Sequence, residues 1–191
     1  GSAAASVGER DAIRLISEAG LSAEICTYVR ALNADIDSAA DFGADSVHLV
    51  IPVSDLHIEK KMRKTREVVA KMAWDAVEYA KSRGLIVELS GEDASRADQQ
   101  FPCDTVGLLT PEKVAEFVPP LAKIAPLSIH CHDDLGFALT NTMAALKCGA
   151  SCAHVTVNGL GERAGNTPLE EVVMALEILY GCETRIKKEQ I

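Results

Sequence analysis

The sequence predicts an α/β fold built on a parallel sheet and closed as a (β/α)8 TIM barrel. Three observations carry that expectation. Short apolar runs of strand length alternate with longer segments of helical period along the chain. The most apolar run, residues 46–53, reads as a strand buried on both faces. No GxGxxG follows any strand, which removes the main support for a dinucleotide-binding sheet and leaves the barrel as the favoured closed form.

The elements follow in order. Ala12, Ile13, Ile16 and Ala19 recur at helical spacing after Ser6, with Gly20 as the stop. Residues 23–29 have strand length and β-content. A short helix over 34–42 is closed by Gly43, and the run 46–53 follows it. A long helix is expected over 58–83, stopped by Gly84, and then a strand over 85–90. Pro111, a good first helical residue, opens a helix to about 124; residues 127–132 form the next strand. A helix over 135–148 ends at Gly149, a strand covers 152–157, and a helix over 169–180 ends at Gly181.

With a stub at 102–104, six of eight barrel strands are visible, one of them partial. A TIM barrel typically takes about 250 residues, so a chain of 191 is short for the fold. The helix beginning at Ala94 runs straight into Pro102, leaving no room to cross back and enter a new strand. A segment is therefore expected to be missing between Phe101 and Pro102, and the chain is expected to begin just after a second strand of a single, partial catalytic domain spanning 1–191.

Composition narrows the function. With 48% hydrophobic and 25% charged residues the chain can bury a core. Its net charge of −9 and 4% aromatics leave neither the basic footprint nor the stacking surface of a nucleic-acid binder. No run approaches a membrane span, and Gly1-Ser2-Ala3-Ala4 lacks the order of a signal peptide, so a cytoplasmic protein with no membrane partner is expected. Six scattered cysteines with no CxxC pair read as buried free thiols, not disulfides.

Two stretches carry chemistry. In His130-Cys131-His132-Asp133-Asp134-Leu135-Gly136, strand alternation points both histidines one way and Cys131 the other. At the C-terminal end of a barrel strand that shared direction is the active-site mouth, where neutral imidazoles are good ligands for a divalent metal. A pair of hydrogen-bonded surface histidines is the alternative. The second stretch, Asn158-Gly159-Leu160-Gly161-Glu162-Arg163-Ala164-Gly165-Asn166, has three glycines and four polar side chains, able to bring backbone close to a ligand.

Together with Ser90-Gly91-Glu92-Asp93-Ala94-Ser95-Arg96 and Asp104-Thr105-Val106-Gly107, these stretches resemble the isopropylmalate, citramalate and homocitrate synthases along essentially the whole chain. The resemblance implies a TIM barrel that condenses acetyl-CoA with a 2-oxo acid and then hydrolyses the thioester, in branched-chain amino-acid biosynthesis. It implies that His130 and His132 ligate a divalent ion (Mn, Mg or Zn), with Asn166 as a further oxygen ligand, direct or through water. It implies that His48, Glu92 and Thr105 face the 2-oxo acid, with Glu92 and Thr105 catalytic, and that Arg96 holds a carboxylate.

The plainer readings are a core histidine at 48, a helical i,i+4 pair for Glu92 and Arg96, and a helix cap at Thr105. The family's Asp ligand, in an Arg-Asp-Gly stretch, has no counterpart here. The run from His48 to His57 resembles the archaeal isopropylmalate and citramalate branches more than homocitrate synthase. Hydroxymethylglutaryl-CoA lyase is an enzyme rival, but its glycine-rich loop carries a cysteine and residues 159–165 hold none. An inactive barrel piece with a binding role is the non-enzyme rival, and a homodimer is implied by the resemblance alone.

Overall fold

The computed structural model describes residues 1–93 and 107–191. These fall into two compact units, Gly1–Glu92 and Asp93–Ile191. The stub at 102–104, the expected interruption at Phe101-Pro102 and the helix starting at Ala94 lie outside the described residues.

In the first unit, α1 (Val7–Glu18) starts where the Ser6 hydroxyl accepts the Glu9 amide at 3.1 Å. Three parallel strands follow in the order β1 (Cys26–Arg30), β2 (Ser46–Pro52), β3 (Ile86–Glu92). They are linked by α2 (Asn33–Asp41) and α3 (Arg66–Ser82). Strand alternation puts Val29, Val47 and Leu49 into a core with Ile36, Ala39, Ala76 and Ala80. The opposite face carries the register row Tyr28, His48 and Glu88. The run 46–53 is buried at Ser46, Val47, Leu49, Ile51 and Pro52, while His48, Val50 and Val53 are only half-buried, so its middle is not covered evenly on both faces.

The expected helix over 58–83 is two pieces. A π-helical turn, His57–Met62, ends at Arg63, whose φ of 54° is left-handed and cannot propagate a right-handed helix. The Thr65 hydroxyl then accepts the Val68 amide and caps α3. The break packs Ile58 against Ile51 and Val69.

Asp35, 4% exposed in the first turn of α2, accepts Arg30 Nε at 2.7 Å, Nη2 at 3.0 Å and the Arg30 amide at 3.3 Å. The Arg30 hydrogen bonds hold its carboxyl below the ordinary 3.8, against the opposing effect of burial. A carboxyl depressed in the folded state stabilises fully above its unfolded value, and that stability is lost as pH falls through the lowered folded value. Asp35→Asn is therefore expected to destabilise by about 1–3 kcal/mol at neutral pH, with the difference from wild type shrinking as pH drops below 3.8. Urea unfolding at pH 7 and at pH 3 checks this.

In the second unit, Thr110 precedes Pro111 at the start of α4 (Pro111–Ala122). Strands β4 (Ser128–His130) and β5 (Cys152–His154) pair in parallel, joined by α5 (Ala138–Lys147) and followed by α6 (Leu169–Tyr180). Ile129 and Cys131 enter a core with Val114, Val118, Ala138 and Ala145. Helix α5 starts at 138 and not 135 because Asp133 Oδ1 caps the Ala138 amide at 3.0 Å, while Gly136, at φ 77°, turns the chain. Strand β5 stops at His154, three residues earlier than expected; the chain then turns through Val157–Gly159 with Asn158 at φ 57°.

The described cysteines are free, as expected, but only Cys131 is buried; Cys26, Cys152 and Cys182 are exposed. Cys26 lies on the open sheet face opposite the core, and Cys182 follows α6, so neither meets the helix-covered side. Among the described residues no helix is long and apolar enough to cross a membrane.

Candidate metal centre

The second unit brings together three of the residues singled out from sequence. Cys131 turns into the core and His130 and His132 turn away from it, as alternation requires. Their Nε2 atoms lie 3.2 Å apart, with ring planes at 83°. That is close to the separation of two nitrogens that share one ion at about 2.0–2.1 Å each. Two neutral imidazoles sharing one N–H would also sit so.

The loop after β5 bears on these readings. It folds back so that Asn166 forms an antiparallel bridge with His132, the Asp133 amide donates to Gly165 O at 2.9 Å, and the Asn166 amide to Gly159 O at 2.9 Å. Thr167, fully buried, shares a hydroxyl hydrogen bond with Thr142 at 2.9 Å and anchors the loop on α5. His132 is 7% exposed. Its Nδ1 and the Asn166 Oδ1 are both buried with no hydrogen-bond partner among the described residues. Orphaned buried polar atoms are rare and call for a missing ion or water. Two imidazoles and a carboxamide oxygen suit a borderline divalent cation such as Zn or Mn. The residues present fit the group.

The glycines of this loop serve Asn166. A Cβ at Gly161 would lie 2.6 Å from the Asn166 side chain, and one at Gly165, where φ is 109°, 2.4 Å from Gly159 O. The expectation of backbone brought close to a ligand becomes backbone brought close to the Asn166 side chain.

Sequence reading missed His154. It is the register partner of His130 on β5, with ring centroids 5.7 Å apart, so a third imidazole faces the same way. Its signal was present, since parallel register partners share a face, but the pairing itself is not local.

In the first unit His48 is no core histidine. It sits half-buried on the face opposite the core, its Nδ1 2.9 Å from Glu88 Oε2 and its ring 6.3 Å from that of Tyr28. Glu88 was also missed, although it shares the period-2 face of Glu92 along β3. Glu92 ends β3 and takes the Lys61 ammonium at 2.8 Å on each oxygen. Glu92 is the last residue of a strand and not part of a helix, so the helical i,i+4 reading does not describe it. Arg96 and Thr105 lie outside the described residues.

The family model described as HMGL-like matches residues 1–104 and 101–191. The chain belongs to the HMGL-like family. Across 100% of its length it is 51% identical to the (R)-citramalate synthase of Methanocaldococcus jannaschii and covers 43% of that protein. It is 69% identical to a Methanoculleus marisnigri protein provisionally given the same name, of which it covers 41%. The chain thus spans about two fifths of the length of these relatives.

The HMG-CoA lyase of Bacillus subtilis superposes with a TM-score of 0.79 at 20% identity, over 95% of this chain and 72% of that one. The fold is accordingly an α/β fold of the TIM-barrel family. The M. marisnigri alignment runs over 208 positions for the 191 residues of this HMGL-like chain. The alignment therefore leaves positions of the relative with no counterpart here, and the family model matches in two stretches that overlap at 101–104.

Proposed function

We propose that the chain is the metal-binding catalytic part of a citramalate-synthase-type enzyme, condensing acetyl-CoA with pyruvate and then hydrolysing the thioester. The observation that carries this is 51% identity along the whole chain to a protein named (R)-citramalate synthase. Isopropylmalate synthase, which takes the bulkier 2-oxoisovalerate, is the near alternative, because a methylene or two in a pocket changes selectivity by only about 1–3 kcal/mol.

His130, His132 and Asn166 hold the divalent ion. Bound there, the ion supplies Lewis-acid polarisation of the 2-oxo acid's carbonyl. His48 and Arg96 bind the 2-oxo acid, and Glu92 and Thr105 act at the reacting carbon. In this role Glu92 exchanges its Lys61 partner for substrate. The Glu88 carboxylate beside His48 Nδ1 holds that ring in one orientation. The enzyme works in the cytoplasm, as a homodimer, on the route to branched-chain amino acids.

The test is thiol release from acetyl-CoA with Mn2+ and each of pyruvate, 2-oxoisovalerate and 2-oxoglutarate. The product of the complete gene is expected to release thiol fastest with pyruvate, and the 191-residue chain alone to release none. No release from the complete product with any of the three acids would overturn the synthase reading.

A further inference from the structure

A charged clamp joins the two loops that carry the ligand set. Arg163 Nε lies 2.6 Å from Asp134 Oδ1, and its Nη2 2.7 Å from Oδ2, a two-pronged contact of fixed geometry. Asp134 stands two residues after His132, and Arg163 three residues before Asn166. Between clamp and ligands run the Asp133–Gly165 backbone hydrogen bond and the His132–Asn166 bridge.

Two features show that the contact is built in. Arg163 adopts a φ of 55°, a left-handed conformation that L side chains rarely take, and it does so while reaching Asp134. Gly107, at φ 64°, leaves room for Asp134: a Cβ there would lie 2.7 Å from Asp134 Oδ2. With side chains 39% and 23% exposed, the pair contributes little to global stability. Its place across the mouth of the two loops gives it another use.

We propose that the Asp134–Arg163 pair is a latch that positions Asn166 beside His132, so that the carboxamide oxygen and the imidazoles present one ligand set. The latch rests on the metal-site reading above for its purpose, though not for its effect on the loop. Asp134 and Arg163 are positioning residues; neither touches the ion.

The experiment uses the 191-residue chain and three variants, Arg163→Gly, Asp134→Asn and the double. Glycine at 163 accepts the left-handed backbone, so that variant removes the latch without adding strain. Amide hydrogen exchange at Gly165 and Asn166 is measured without metal, Mn2+ affinity by electron paramagnetic resonance, and the melting temperature alongside. In each single variant, exchange at both amides is expected to quicken and Mn2+ affinity to fall about tenfold, the range typical of groups that orient metal ligands. The melting temperature should barely move.

The double variant should be no worse than the poorer single one, since both remove one interaction. Unchanged exchange in Arg163→Gly and Asp134→Asn overturns the latch. Faster exchange with undiminished Mn2+ affinity also overturns it as a positioning device. Failure of the unsubstituted chain to bind Mn2+ instead overturns the ligand assignment, while the exchange rates still decide the latch.

Discussion

His132→Ala is expected to abolish divalent-cation binding by this chain, read as loss of the rise in melting temperature that Mn2+ or Zn2+ produces. A ligand that binds only the folded state stabilises it by about 2.7 kcal/mol when present at a hundred times its dissociation constant. The unsubstituted chain should therefore melt several degrees lower after chelation, and the variant should not respond. His132 is chosen because it touches every part of the site: Nε2 against His130, backbone against Asn166, and a buried Nδ1 that lacks a partner among the described residues. If the two rings merely shared a proton, the unsubstituted chain would show no metal-dependent shift, and the ligand assignment would fail with it. Asn166→Ala should weaken the response less, since two imidazoles remain.

Gly165→Ala is expected to damage the same site through the backbone. At φ 109° an L side chain is strained, and the new Cβ would lie 2.4 Å from Gly159 O, the carbonyl that accepts the Asn166 amide. The obstacle is backbone, so no rotamer change relieves it, and the loop must shift and carry Asn166 away from His132. Backbone strain of this kind costs about 1–3 kcal/mol, and the displaced ligand should weaken Mn2+ binding at least tenfold. Gly181→Ala is the control. Its φ of 65° is also left-handed, but nothing lies within 4 Å of a Cβ there. It should lose only about 1–2 kcal/mol and bind metal normally. Equal loss of metal affinity in both variants would sink the account of Gly165.

Much of the site was legible because its signals are local. The histidines at 130 and 132 share a direction through strand alternation, and the run of glycines marks a loop made for close approach. The break at 63–65 was hidden for the opposite reason. The apolar period of residues 58–83 continues across it, and only the left-handed Arg63 and the Thr65 cap end one helix and begin another. The cysteines misled because composition says how often a thiol is buried, not which strand face a given one occupies. Cys131 and Cys26 are both strand-associated, yet one enters the core and the other does not.

By itself the sequence determined the alternation of strand and helix and the family resemblance, and it singled out three candidate ligands. Those rest on period, spacing and motif, which act within a few residues of chain. Only the tertiary structure decided that Asn166 folds back on His132, that His154 faces the same way as His130, that Glu88 holds His48, and that Asp134 and Arg163 close on each other. Each depends on the register between parallel strands or on loops meeting in space. Such contacts are selected by burial and packing across tens of residues, and no local pattern encodes them.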